Sequence, residues 1–147
     1  LSRGAARVCA VDVGRGQLHP KVAGDPRVQS LEGTDARDLD EARLGFVPDL
    51  VVCDVSFIGL SKALPRALAL AAAGADLVVL VKPQFEVGPA HVGKGGVVKD
   101  EGARARALDE ARAFLTASGW IVNGAAPSPI TGVDGNIEFL VWATKQA

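Results

Sequence analysis

The sequence predicts an α/β domain built on a mixed, mostly parallel sheet, and three observations carry that expectation. Short apolar runs such as Leu50–Cys53 and Leu77–Val81 are continuous rather than alternating, as in strands covered on both faces. Helix-forming stretches separate the runs, the pattern of strand–helix–strand units. Polar residues close several of the runs, which places them beyond the carboxyl ends of strands, where open α/β sheets bind ligands.

Each element follows in chain order. Arg7 to Val13 is a short apolar strand containing Asp12, followed by a turn with Gly14 and Gly16. Val28 to Leu31 is a second strand, leading to Asp35. Asp49 to Val55 is a third, and Ser61 to Ala73 an Ala/Leu-rich helix ended by Gly74, with Pro65 suited to its first turn. Asp76 to Val81 is a buried strand. After a glycine-rich segment, Gly88 to Val98, an amphipathic helix runs from about Glu101 to Ser118 with Ala105, Leu108, Ala111 (or Arg112) and Leu115 at helical spacing. Trp120 to Val122 and Asn136 to Ala143 are the last strands, their short connection implying an antiparallel pair.

The 147 residues suffice for one domain with a core of its own. No apolar run is long enough to span a membrane, and Leu1–Arg7 lacks the apolar stretch of a signal peptide, so none is expected there. A formal net charge of −1 argues against a self-sufficient nucleic-acid binder, so any RNA affinity needs a local basic patch or a further domain. Cys9 and Cys53 lack metal-ligand spacing and read as reduced, buried thiols of a cytoplasmic protein, and no metal is expected. Methionine is absent even at position 1, so the sequence is expected to be part of a longer product.

Asp54, Lys82 and Glu138 are the residues most suggestive of chemistry. Asp54 and Lys82 each close an apolar strand, and Glu138 stands between Ile137 and Phe139 in a third, where a carboxylate is costly unless paired. Asp54 alternatively caps the following helix, Lys82 alternatively reaches solvent from a strand end, and Glu138 alternatively lies on a solvated edge. Asp12 is placed to accept hydrogen bonds from a ribose diol or to cap its own turn; Asp35 is placed to accept from an exocyclic amine or to cap one. Gly93-Lys94-Gly95-Gly96 lacks the spacing of a Walker phosphate loop. Lys94, Lys99, Arg104 and Arg106 form either a phosphate-facing patch or a solvated surface. His19 and His91 fit no triad or metal pattern.

Several strings together resemble the TlyA family, in which an RNA-binding S4 domain precedes an FtsJ-like methyltransferase domain. They are Val11-Asp12-Val13-Gly14, Cys53-Asp54-Val55-Ser56-Phe57-Ile58, Val81-Lys82-Pro83-Gln84-Phe85-Glu86, Gly93-Lys94-Gly95-Gly96-Val97-Val98, Pro127-Ser128-Pro129-Ile130-Thr131-Gly132 and Gly135-Asn136-Ile137-Glu138-Phe139-Leu140. The resemblance covers essentially the whole chain. It implies a Rossmann-like fold and transfer of a methyl group from S-adenosyl-L-methionine to a ribose 2′-hydroxyl of ribosomal RNA, at cytidine. Ribosomal RNA or ribosomal subunits would be the partners, with no membrane involved.

By the same resemblance, Asp54, Lys82 and Glu138 match the last three members of a Lys-Asp-Lys-Glu catalytic tetrad. Asp12 and Asp35 match acids near the cofactor ribose and adenine, with Asp54 beside the cofactor as well. The family's first strand, glycine-rich cofactor loop and first lysine would lie upstream of Leu1, so residues 1–147 are expected to be a partial methyltransferase domain. That first strand would sit between the strands ending at Asp12 and Asp54, and its absence would leave unpaired backbone in mid-sheet. A non-catalytic methyltransferase-like module that binds RNA or a partner is the alternative. The family's haemolysin label finds no support in an apolar segment.

Overall fold

The computed structural model describes all residues, Leu1–Ala147. Six strands form: β1 (Val8–Asp12), β2 (Val28–Glu32), β3 (Leu50–Cys53), β4 (Asp76–Val81), β5 (Trp120–Pro127) and β6 (Phe139–Lys145). Six α-helices accompany them: α1 (Pro20–Ala23), α2 (Glu41–Leu44), α3 (Leu60–Ala63), α4 (Pro65–Leu70), α5 (Pro83–Glu86) and α6 (Glu101–Ala117). The expected Ala/Leu helix is broken at Leu64. Pro65 occupies the first helical position of α4, where its missing N–H costs nothing, and Leu64 ends α3.

The strands make two sheets. β1 and β2 pair in parallel, and a second sheet has the order β3-β4-β6-β5. β3 and β4 are parallel, and β6 is antiparallel to both β4 and β5, so β6 alone runs against its three companions. No strand pairing joins β1 to β3. Between them lies an apolar cleft of about 290 Å³, lined by Val8, Cys9 and Val11 on one side and Leu50 to Val55 on the other. The seam falls where the resemblance leaves out a strand.

The core sits on one face of the larger sheet. Leu77, Val79 and Val81 of β4 and Val141 and Ala143 of β6 are essentially inaccessible there, packed with Leu60, Leu64, Leu68, Leu115 and Trp120. Helix α6 contributes Ala103, Ala107, Ala111 and Leu115, a strict four-residue repeat. Ala105, expected on that stripe, is exposed instead, because the small residues at spacing four let α6 lie close against the sheet. The opposite face is bare: Val52, Val78 and Trp142 stand in one register row and are 71%, 37% and 43% exposed. A parallel sheet is ordinarily covered on both faces.

Lys145, near the end of β6, ties the sheet to α4. Its ammonium donates to the carbonyls of Leu68, Ala69 and Ala71 at 2.9, 3.1 and 2.6 Å, satisfying groups the helix end leaves over. Lys145→Met is expected to lower unfolding free energy by about 1–3 kcal/mol, measured by urea denaturation of the 147-residue chain.

Candidate active site

Asp54 and Lys82 meet because β3 and β4 are neighbouring parallel strands that end together. Cys53 pairs with Val79 in the ladder, and each polar residue follows its strand within a few positions. Lys82 is extended (φ −109°, ψ 98°) and serves as N-cap of α5, with Pro83 at the first helical position. Its ammonium lies 2.6 Å from Asp54 Oδ1 and donates to Ser56 Oγ at 3.1 Å. The Lys82 side chain is 14% exposed and that of Asp54 69%, so a mostly covered stem delivers a cation to an open acid.

Glu138 joins this pair only indirectly. It lies one residue before β6 rather than inside a strand, because its backbone leaves the β4 ladder and its carbonyl accepts from Ser128 N–H at 2.8 Å. At 6% exposure it is buried, and its Oε1 accepts from Gln84 Nε2 at 2.9 Å; no ion pair links it to Lys82. Val81 and Phe139 are ladder partners, so the next residues out, Lys82 and Glu138, emerge side by side. Gly132 packs on the carboxylate so closely that a Cβ there would lie within 2.6 Å of Glu138 Cδ. Asp54, Lys82 and Glu138 therefore converge as a pair plus a shielded acid held by Gln84.

The remaining expected residues have local roles. Asp12 is exposed at the end of β1, and its Oδ1 accepts from Gly14 N–H at 2.8 Å, leaving the second oxygen uncommitted. Asp35 caps the short turn Ala36–Asp38 and binds Arg37 at 2.6 Å, which holds its carboxyl down to about 2. His19 Nδ1 accepts from Lys21 N–H, a turn cap. The basic patch is partly neutralised: Arg104 reaches Glu101 at 3.8 Å and Arg106 reaches Asp100 at 3.9 Å, leaving Lys94 and Lys99 exposed. Burial pushes the Cys53 thiol up to about 11, with the Asp54 carboxylate adding to it. No group of three or more His, Cys, Asp or Glu side chains is arranged to hold a metal ion, and no helix is long and apolar enough to cross a membrane.

Gln84, Asn136 and Ser56 stood in the sequence without an assigned role at the site. The cap of α3 is Gly59, without a side-chain bond, which releases Ser56 to Lys82. Asn136 is 3% exposed and accepts from Val98 N–H while donating to the carbonyls of Gly96 and Val133. It thereby fastens the glycine-rich loop to the segment that positions Glu138. Gln84 and Asn136 stood inside quoted motifs, and an amide amid apolar or glycine-rich neighbours was the available signal.

Residues 1–145 match the family model of FtsJ-like methyltransferases. The chain belongs to that family. It stands with the TlyA proteins: it is 47% identical over 146 residues to the 16S/23S rRNA (cytidine-2′-O)-methyltransferase TlyA of Mycobacterium tuberculosis, covering 99% of this chain and 54% of that one. It is 37% identical to Hemolysin A of Brachyspira hyodysenteriae, covering 95% and 59%. A hemolysin-named structure from Streptococcus thermophilus superposes with a TM-score of 0.94 at 38% identity, covering 99% of this chain and 53% of that one. The chain thus spans about half the length of the curated relatives it matches. The N-methyltransferase NodS of Bradyrhizobium japonicum with S-adenosyl-L-homocysteine superposes with a TM-score of 0.59 at 14% identity, covering 96% and 67%, a likeness of fold.

Asn136→Ala removes one buried and two part-buried hydrogen bonds, so a loss of about 1–3 kcal/mol is expected. Amide exchange should quicken at Val98, whose N–H would lose its acceptor, while strand β4 stays protected until global unfolding.

Proposed function

We propose that the protein to which this chain belongs transfers a methyl group from S-adenosyl-L-methionine to a cytidine ribose 2′-hydroxyl of ribosomal RNA, in the cytoplasm. The observation that carries the reading is the 2.6 Å contact between Lys82 and Asp54 at the ends of β3 and β4, in a chain 47% identical to a relative named for that reaction. Asp12 fits a cofactor ribose, since it is exposed at a strand end with one carboxylate oxygen uncommitted. Asp35 fits an adenine edge less well, being bound to Arg37.

When bound, the cofactor supplies a methyl group already activated as a sulfonium. The chain's own task is then to align the ribose hydroxyl and remove its proton. Lys82 Nζ is the proton acceptor in this reading, and Asp54 and Ser56 fix where it sits. An ammonium cannot accept a proton, and free lysine has a pKa near ~10.4, so a second cation close by is needed to favour the neutral amine. We place that cation, together with the strand that fills the β1–β3 seam, a glycine-rich cofactor loop and an S4 RNA-binding domain, in the part of the protein upstream of Leu1. The bare row of Val52, Val78 and Trp142 supports the same placement, because a preceding segment would cover it.

Phe57 supplies an RNA contact. Its side chain is 90% exposed, its backbone is left-handed (φ 65°), and its ring lies 5.0 Å from that of Phe85. An aromatic face three residues from Asp54 suits stacking of an unpaired base. The open seam favours a second reading for the 147-residue chain by itself, a methyltransferase-like module without turnover.

The test is radiolabelled methyl transfer to ribosomal subunits by the full-length gene product. Lys82→Ala should abolish transfer while leaving cofactor affinity within about twofold, and Asp12→Ala should weaken cofactor binding by roughly tenfold, the loss of one charged hydrogen bond. Phe57→Ala should raise the KM for RNA by about tenfold, as for loss of one stacked base. The isolated 147-residue chain should show no transfer. Transfer by Lys82→Ala at the native rate would refute the proposal.

A further inference from the structure

Glu86 is a half-buried carboxylate in no ion pair, and the chemistry above does not use it. It ends α5, and its Oε1 accepts from the backbone N–H of Leu60 at 2.9 Å. Leu60 opens α3, whose N-cap, Gly59, has no side chain to offer and whose first turn holds no acid. The missing cap is therefore supplied from a residue 26 positions away. Gly59 makes room for it: a Cβ there would stand 3.2 Å from Glu86 Oε2.

The contact belongs to a set of three. The one-turn helix α5, stiffened by buried Pro83 and the Phe85 N–H to Lys82 C=O bond of 2.9 Å, faces the loop from Asp54 to Leu60. Lys82 meets Asp54 and Ser56, Phe85 meets Phe57, and Glu86 meets Leu60. The first contact joins a mostly covered lysine to an open acid, and the second lies at a nearly bare surface. Of the three, only the last is a part-buried bond to backbone, and it anchors the loop's end at Leu60.

Burial pushes the Glu86 carboxyl above its ordinary value, the Leu60 N–H pulls it part of the way back, and Glu110 on α6 adds to the rise, with His91 and Arg106 lining the same hollow. The net direction is upward, so burial of the charge outweighs what the Leu60 bond returns to it. A neutral acceptor would serve the fold at least as well.

We propose that Glu86 is a positioning residue for methyl transfer: by capping Leu60 it sets the loop that brings Asp54 and Ser56 to Lys82. The inference rests on the reading of Lys82 given above. Glu86→Gln keeps an acceptor for Leu60 N–H and removes the buried charge, whereas Glu86→Ala removes the cap.

In the full-length gene product, Glu86→Ala should lower kcat by about tenfold or more, as misplacement of reacting groups does, with cofactor affinity within about twofold. Glu86→Gln should restore kcat to within about threefold and melt no lower than the native protein at pH 7, since it removes a carboxyl whose charge burial disfavours. A native kcat in Glu86→Ala, or a Glu86→Gln variant as impaired as Glu86→Ala, would overturn the inference. Lys82→Ala assayed alongside separates the two claims. If it retains transfer, the reading of Lys82 falls; if it is inactive while Glu86→Ala is not, only the role of Glu86 falls.

Discussion

The structure turns on the junction where β3 and β4 end side by side. Two parallel strands deliver an acid and an amine from positions 28 residues apart to within 2.6 Å, and much else serves that meeting. Pro83 turns the chain into α5 directly after Lys82, which keeps the lysine stem against the sheet rather than extending into solvent. Beneath it, Val79 and Val81 are wholly buried and anchor the strand end. An ion pair of this kind, one partner open to water, contributes little to stability. Its placement therefore reflects what the two groups do together more than what they add to the fold.

The second constraint is the seam between β1 and β3. Two strand edges face one another across an apolar cleft, and the sheet's bare face begins beside it at Val52. Unpaired edges and exposed apolar rows are liabilities that folded proteins cover. A strand between β1 and β3, followed by a helix over Val52, Val78 and Trp142, would remove both at once. It would also bring the Asp12 turn and the Asp54–Lys82 pair under one continuous sheet, joining a cofactor end to a reacting end.

Much of this was legible in the residues. The continuous apolar runs located every strand core, although the expected burial on both faces did not hold, since Val52, Val78 and Trp142 stand on a bare face; Asp76–Val81 matched its limits fully. Pro65 marked a helix start, yet the break it imposes at Leu64 was hidden by the uniform Ala/Leu composition on either side. Ala105 misled because alanine fits a buried stripe and a solvated face equally well. Asp54 and Lys82 stood out in the sequence since charged residues at strand ends have few cheap explanations, and the fold brings them into contact. Glu138 stood out in the sequence but its environment did not: its partner Gln84 lies 54 residues away, and only the fold brings amide and acid together. Glu86 gave no signal, because a cap supplied from another segment leaves no local pattern around Leu60.

The central claim is that the amine of Lys82, set by Asp54, receives the proton of a ribose hydroxyl. It is tested most directly by a structure of the full-length protein with S-adenosyl-L-homocysteine and an RNA oligonucleotide carrying the target cytidine. The account predicts the ribose 2′-oxygen at hydrogen-bond distance from Lys82 Nζ, about 3 Å, with Asp54 still in contact with the amine. A 2′-oxygen held elsewhere, with Lys82 paired only to Asp54 and remote from the ribose, would contradict it.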